Sequence, residues 1–274
     1  MAPRLIVSDI DGTFITSAGR VTPRLRDVVV RAVRAGTGFG LATGRPHRWL
    51  LPVLEQLPIA PVCVCANGAV VYDPAADRIV RAFELEATVM AGLVETIESV
   101  MAPLGLPFGY GVERVGESAL DPEDEVFLIT PAYNPDGWDS RFGIVPIDEL
   151  VSVPAAKLLV RCTEMHSAEM FDLIAPLIDE TSAHVTYSMD EGLIEMSSPG
   201  VNKAMGVSIL AAHHGVEPAE VVAFGDMPND CEMLSWVGTG VAMGNAHPLV
   251  QQTADQVTLT NDEDGVAEVL EHWF

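Results

Sequence analysis

Several features that mark whole classes of protein are scarce or missing in this sequence. Its 274 residues include four cysteines, too few and too irregularly spaced for a disulfide framework. It has no apolar run of the roughly 18 residues that a membrane-spanning helix needs, and no apolar signal-peptide core near its start. No repeat at solenoid or propeller spacing is visible. These absences predict a globular, cytoplasmic protein.

Basic residues are also scarce, at 15 against 39 acidic residues, and the formal net charge is −24. An acidic chain of this kind argues against binding to nucleic acids or anionic membranes. It does not exclude a small phosphorylated substrate, because surface charges are screened within about 10 Å and local cations decide such a site. Any phosphate site must therefore contain identifiable cations.

The apolar residues that are present alternate between short strands and helices. Residues 5–7 predict a buried strand, residues 22–23 the start of a helix, and residues 39–42 a second strand. This order is typical of a parallel sheet with crossover helices. Between residues 84 and 191 the pattern changes to a small α+β layer. We therefore predict an α/β fold, in which a Rossmann-like core of residues 1–83 and 192–274 carries an inserted domain of residues 84–191.

Polar clusters follow three of the predicted core strands, and a lysine begins a core helix. The clusters are Asp9 with Asp11, Thr43-Gly44-Arg45, and Asp226 with Asn229 and Asp230, and the lysine is Lys203. In an open α/β sheet, ligands bind at the edge where the strands' carboxyl ends meet. Carboxylates gathered there repel one another unless a divalent cation neutralises them, and oxygen-only ligands favour Mg²⁺. The sequence therefore predicts a magnesium site at this edge.

Lys203 and Thr43 point to the kind of substrate that such a site would hold. A lysine in the first turn of a helix interacts unfavourably with the helix dipole, by about 0.3–1 kcal/mol. A nearby anion removes this unfavourable interaction. Thr43 offers a hydroxyl and backbone N–H groups beside a predicted helix start, which suits phosphate oxygens. Together these residues predict a phosphoryl group held against a carboxylate nucleophile.

The same residues resemble the motifs of a known family, the haloacid dehalogenase superfamily of phosphatases, and in particular its Cof-type members with a large α/β cap. The matching motifs are Asp9-Ile10-Asp11-Gly12-Thr13, Thr43-Gly44-Arg45, Lys203, and the segment from Gly225 to Asp230. Asn67-Gly68-Ala69 and Gly244-Asn245-Ala246 also resemble recurring Cof-type segments. The place of the inserted domain, between the second and third motifs, is shared as well.

The resemblance implies the chemical roles of the aspartates. Asp9 would attack phosphorus to form an aspartyl-phosphate. Asp11 would protonate the leaving alcohol and later activate water. Mg²⁺ would be bound by Asp9, by the backbone carbonyl of Asp11 and by Asp226.

The resemblance also implies the roles of the residues around them. Lys203 would take part in catalysis and, with Thr43 and Gly44, hold the phosphoryl oxygens. Asn229 and Asp230 would orient the metal site. For Arg45 two interpretations stay open, a contact with the substrate or an ion pair that holds the inserted domain.

The sequence therefore predicts a Mg²⁺-dependent phosphatase that hydrolyses phosphate monoesters of small metabolites, such as sugar phosphates, and whose inserted domain closes over the substrate as a cap. Two alternatives remain, a phosphosugar mutase on the same scaffold and a non-catalytic sensor of a phosphorylated metabolite. The substrate and the oligomeric state are left open. Candidate substrate contacts in the inserted domain are Glu113, Tyr133, Trp138 and Arg161.

Overall fold

The computed structural model describes residues 2–133 and 141–274, and the chain divides into two compact units. The first unit comprises Met1–Val80 and Asn202–Phe274, and the second comprises Arg81–Val201. The second unit is thus inserted into the first along the chain. The predicted α/β fold class, a parallel-sheet core with an α+β insertion, is confirmed.

Strands and helices alternate through most of the described residues. The strands are β1 Leu5–Ser8, β2 Gly38–Ala42, β3 Cys63–Cys65, β4 Val70–Asp73, β5 Arg78–Ala82, β6 Gly109–Glu113, β7 Phe127–Ile129, β8 Gly143–Ile144, β9 Lys157–Arg161, β10 His184–Thr186, β11 Leu193–Ser197, β12 Val221–Gly225, β13 Thr239–Ala242 and β14 Gln256–Val257. The α-helices are α1 Pro23–Arg34, α2 Leu51–Leu54, α3 Ala87–Met101, α4 Glu123–Val126, α5 Ile147–Leu150, α6 Ser167–Ile174, α7 Lys203–His214, α8 Cys231–Trp236, α9 Pro248–Thr253 and α10 Gly265–Leu270.

The sheet of the first unit has the strand order β14-β13-β12-β1-β2-β3-β4-β5. Its middle strand, β1, pairs in parallel with β12 on one side and β2 on the other. Leu5, Ile6 and Val7 are fully buried, which explains why this strand is apolar at every position rather than at alternate ones. Because β12, β1 and β2 run in parallel, the loops that follow them leave the sheet at the same edge.

Two predicted helix starts in the first unit are confirmed. Thr22 caps α1 by accepting a hydrogen bond on its hydroxyl from the Leu25 N–H at 3.1 Å, and Asn202 caps α7 by accepting one from the Met205 N–H at 2.9 Å. The helix whose start is predicted beside Thr43 is instead a 3₁₀ turn, His47–Trp49, followed by the short α2. Pro52 lacks the N–H that a continuous helix would need there.

The second unit contains a six-stranded sheet of order β10-β11-β9-β6-β7-β8, in which all neighbours but β7 and β8 pair antiparallel. Strand β11 pairs with both β9 and β10, so it belongs to this sheet. The chain therefore returns to the first unit after Val201, later than the boundary after residue 191 that the sequence predicts. The predicted boundary leaves β11 outside the inserted domain. The apolar sequence of a strand does not indicate which of the two sheets the strand joins.

The structure corrects the expectation that no segment is long and apolar enough to cross a membrane, because residues Ala87–Leu104, which contain α3, meet both criteria with a mean hydropathy of 1.3. The large apolar residues Met90, Leu93, Ile97 and Met101 of this helix are buried. Burial inside the second unit accounts for these side chains. The cytoplasmic location expected from the sequence stays a prediction.

Candidate active site

The candidate site begins where β1 ends and the chain turns at Asp9. The Asp9 N–H donates to the Phe224 carbonyl at 3.0 Å, which ties this turn to β12. Gly12 has a φ of 72°, and a Cβ atom built there would lie 2.2 Å from Asp226 Oδ2. A side chain at this position would therefore be strained and would collide with the carboxylate. The glycine allows the Asp226 carboxylate to lie against the turn.

A buried lysine joins two of the aspartates. Lys203 Nζ donates to Asp9 Oδ1 and to Asp230 Oδ1, each at 2.6 Å. Lys203, Asp9 and Asp230 are only 1%, 5% and 0% exposed. Asp9 Oδ2 makes no hydrogen bond to any residue in the ranges 2–133 and 141–274. The geometry thus holds one oxygen of Asp9 and leaves the other available for chemistry.

Asp226 and Asp230 are held differently. Asp226 Oδ1 accepts a hydrogen bond from the Thr13 hydroxyl at 2.7 Å. Asp230 Oδ2 accepts from the backbone N–H groups of Asp226 at 2.9 Å and Met227 at 3.0 Å, while its other oxygen binds Lys203. Both oxygens of Asp230 are therefore engaged by protein groups. Thr13 lies in the first motif, but its contact with Asp226 joins residues that are 213 positions apart, which no local pattern indicates.

The carboxylates of Asp9, Asp226 and Asp230 fit a hard divalent cation. One oxygen of each lies within 4.8 Å of the others, and Lys203 alone balances these three negative charges within the cluster. Since Asp230 binds Lys203 and two backbone N–H groups, the donors for the ion are the second oxygen of Asp226 and Asp9 Oδ1, which among the described residues accepts a single hydrogen bond, from Lys203, and can bind an ion while Asp9 Oδ2 stays available for chemistry. Carboxylate oxygens without nitrogen or sulfur ligands are the donors that Mg²⁺ prefers. Mg²⁺ binding by Asp9 and Asp226 is thus chemically reasonable.

The side chain of Asp11 lies apart from these carboxylates and is paired with Arg45. Arg45 Nε donates to Asp11 Oδ2 at 2.7 Å, and Arg45 Nη2 donates to Asp11 Oδ1 at 2.5 Å. The Asp11 side chain is 56% exposed. The ion pair of Arg45 is therefore with a residue of its own unit, rather than the domain-holding pair considered from the sequence. Metal binding by the Asp11 backbone carbonyl stays a prediction.

Burial dominates the electrostatics of the carboxylates. It raises the pKa of Asp9 well above its usual value, opposed by Lys203 and reinforced by Asp230 and Asp226. Burial, with the charge of Asp230, likewise raises the pKa of Asp226 to about 7. Burial lowers the pKa of Lys203, but Asp230 and Asp9 outweigh it and leave that pKa above its ordinary value. A bound cation would reverse the effect on the aspartates by favouring their ionised forms.

Thr43 lies at the end of β2, at the same edge of the sheet. Its N–H donates to the Val64 carbonyl at 2.8 Å, and its hydroxyl oxygen accepts from the Arg45 N–H at 3.1 Å. The Thr43 O–H has no acceptor among the described residues. A 3₁₀ turn replaces the expected helix start. A phosphate-binding site here would therefore depend on this hydroxyl and on nearby N–H groups such as that of Gly44.

Asn229 contacts Asn67, a residue for which the sequence predicts no role. Asn229 Nδ2 donates to Asn67 Oδ1 at 2.9 Å, and both residues are buried. Asn67 lies in the Asn-Gly-Ala segment that follows β3. Its position after a core strand was the signal that could have identified it.

In the second unit, Glu113, Tyr133 and Arg161 are all buried, with exposures of 3%, 0% and 6%. Trp138, the fourth candidate substrate contact, lies outside the described residues. The centre of the Tyr133 ring lies 5.9 Å from the Arg161 guanidinium carbon. Contact of these residues with a substrate stays a prediction.

Lys157 occupies the same sheet and is paired with two glutamates. Its Nζ donates to Glu195 Oε2 at 2.7 Å and lies 3.5 Å from Glu113 Oε2. Lys157 is 3% exposed. The second unit thus contains a buried ion-pair cluster of its own.

Comparisons with known proteins agree with the motif pattern. The family profile of haloacid dehalogenase-like hydrolases matches residues 6–270. The 5-amino-6-(5-phospho-D-ribitylamino)uracil phosphatase YcsE of Bacillus subtilis is 45% identical, and the match covers 98% of this chain and 95% of that protein. The HMP-PP phosphatase of Serratia proteamaculans is 30% identical, with 99% and 95% covered. A solved haloacid dehalogenase-like hydrolase from B. subtilis has a TM-score of 0.77 at 26% identity, with 99% and 100% covered.

Proposed function

Because the chain belongs to the haloacid dehalogenase-like hydrolase family and is a phosphoric monoester hydrolase, we propose that it dephosphorylates small metabolites through an aspartyl-phosphate on Asp9. Mg²⁺ bound by Asp9 and Asp226 would neutralise charge on the transferring phosphoryl group. The observation that carries this proposal is the 2.6 Å contact between Lys203 Nζ and Asp9 Oδ1, which leaves Asp9 Oδ2 to act as the nucleophile.

In the first step, Asp9 Oδ2 forms a bond to phosphorus as the bond from phosphorus to the substrate oxygen breaks. Asp11, protonated once its ion pair with Arg45 has opened, would give its proton to that leaving oxygen, so the alcohol departs neutral. In the second step, ionised Asp11 takes a proton from water, and the water oxygen displaces Asp9 from phosphorus. Inorganic phosphate leaves and Asp9 is regenerated.

Lys203 and Thr43 contribute binding and charge stabilisation rather than proton transfer. Lys203 places a fixed positive charge beside the attacking carboxylate, where burial strengthens its effect on developing negative charge. The Thr43 hydroxyl supplies a hydrogen-bond donor for a phosphoryl oxygen. Asp230 keeps the lysine ammonium in place through the second 2.6 Å contact.

The test is phosphate release from an aryl phosphate, with and without Mg²⁺, by the unchanged chain and by Asp9→Asn. We expect turnover to require Mg²⁺ and the substitution to lower kcat by about a thousandfold or more, because no carboxylate nucleophile remains. Asp27→Asn is the matched control, since its carboxylate is exposed on α1, and it should retain full activity. Full activity of Asp9→Asn would refute the nucleophile assignment.

For the substrate, we propose a metabolite with a phosphorylated sugar or sugar-alcohol chain. The name of the B. subtilis relative YcsE supports this class, because its substrate contains a phosphorylated ribityl group. A panel should compare that compound with HMP-PP and simple sugar phosphates at equal concentration. Release of inorganic phosphate without formation of an isomeric sugar phosphate would also exclude the mutase alternative.

A further inference from the structure

The turn after β3 has an unusual backbone. Ala66, Asn67 and Gly68 have φ values of 50°, 54° and 99°, in the left-handed region that non-glycine residues rarely adopt. A Cβ atom at Gly68 would lie 2.1 Å from the Asn202 carbonyl oxygen, so glycine is required for this close approach. The turn therefore packs directly against the residue that caps α7, the helix that begins with Lys203.

The backbone of this turn is also tied to the loop that contains Thr43 and Arg45. The Ala66 N–H donates to the Arg45 carbonyl at 2.9 Å, and the Asn67 N–H donates to the Thr43 carbonyl at 3.0 Å. Strained conformations of this kind persist only where the surrounding structure holds them. The hydrogen bonds and the contact at Gly68 supply that support.

The side chain of Asn67 extends the connection to the loop after β12. Asn67 Oδ1 accepts from Asn229 Nδ2 at 2.9 Å, and the two residues are 1% and 4% exposed. Asn229 Oδ1, at the other end of the same amide, is buried and has no hydrogen-bond partner within residues 2–133 and 141–274. A buried acceptor without a partner is unfavourable, which favours a role for this oxygen in binding a ligand.

We infer that Asn67 is a positioning residue, which fixes the amide of Asn229 so that Oδ1 is kept for the ligand shell of the metal bound beside Asp226. This inference rests on the proposed function, because that function supplies the metal. Without Asn67, the amide of Asn229 is free to turn and to present Nδ2, which is a donor and cannot bind a cation. Asn67 thus acts on the metal site only through Asn229.

The test is a double-mutant cycle with Mn²⁺ as the probe, titrated by electron paramagnetic resonance in the absence of substrate. Asn67→Gly removes the side chain but permits the left-handed backbone. We expect it to weaken Mn²⁺ binding by about tenfold, the lower end for residues that orient metal ligands. Asn229→Asp replaces the amide with a carboxylate, which offers an oxygen to the metal in either orientation. In that background Asn67→Gly should change Mn²⁺ affinity by less than about twofold.

Asn67→Asp is the control, because it retains an accepting oxygen for Asn229 Nδ2, and its Mn²⁺ affinity should not fall below that of the unchanged chain. An equal loss from Asn67→Gly in both backgrounds would indicate a merely structural role and overturn the inference. So would an unchanged affinity of Asn67→Gly alone. A chain that shows the expected cycle but releases no phosphate would refute the proposed function and leave the positioning role supported.

Discussion

Replacing Lys203 with methionine removes the charge that two buried aspartates share. The ammonium contacts Asp9 and Asp230 at 2.6 Å each, and Lys203 is 1% exposed, so solvent cannot take its place. Asp230 keeps its two backbone N–H donors, whereas Asp9 loses the partner of its carboxylate. Breaking a buried ion pair in this way costs about 3–5 kcal/mol. We expect Lys203→Met to lower the free energy of unfolding by that amount at pH 8.

The loss of unfolding free energy in Lys203→Met should become smaller as the pH falls. The pKa of Asp9 is already raised by burial, so between the unfolded pKa of about 3.9 and the folded one, the folded state binds more protons. The free energy of unfolding then decreases as pH rises through this window. Lys203 opposes the rise in the pKa of Asp9, so removing it raises the folded-state pKa further and widens the pH range between the unfolded and folded values. Lys203 itself, with a raised pKa, stays charged in the unchanged chain throughout this range.

The assay is urea unfolding of both proteins at pH 5.5 and pH 8, with hydrogen exchange of β1 and β12 as a local measure of the first unit. Adding Asp9→Asn to Lys203→Met removes the unpaired charge and should recover more than half of the lost stability at pH 8. An equal loss at both pH values, or no recovery in the double variant, would refute the reasoning.

Two further predictions concern the reaction. Asp11→Asn should slow both formation and breakdown of the phosphoenzyme by roughly a hundredfold or more, the usual range for a lost general acid and base, as measured by rapid quench. Phosphoenzyme should still form, and its complete absence would contradict the separate roles of Asp11 and Asp9. For the metal, burial raises the pKa of Asp226 to about 7, so a cation must displace a proton below that pH. Mg²⁺ affinity should therefore rise by about fivefold from pH 6 to pH 7, with proton release detectable by calorimetry in buffers of different ionisation enthalpy. Affinity that is constant from pH 6 to pH 8 would contradict this assignment.

Much of the first unit is predictable because its signals are local. A continuous apolar run predicts β1, since a strand covered on both faces has no polar alternation. Thr22 and Asn202 identify the starts of α1 and α7 by their capping side chains. Asp9 and Asp226 follow such strands directly, so the parallel topology brings them together. Their convergence with Lys203 follows from sequence and topology alone.

Other features depend on contacts that no local pattern records. The bond between Asn67 and Asn229 joins residues that are 162 positions apart in the chain, and the ion pair of Arg45 with Asp11 joins residues that are 34 positions apart. In the second unit, the short strands β7 and β8 lie in a stretch rich in proline and glycine. They are three and two residues long, too short for a repeating apolar pattern to identify them.

The burial of lysine has a practical consequence for measuring local opening. The sequence contains two lysines, Lys157 and Lys203, one in each unit, and both are held by carboxylates away from solvent. An amine-acylating reagent can therefore modify either side chain only when its own unit opens. Peptide mass spectrometry would read the two acylation rates separately and, where reclosing is fast, give the opening equilibrium of each unit in the unaltered protein.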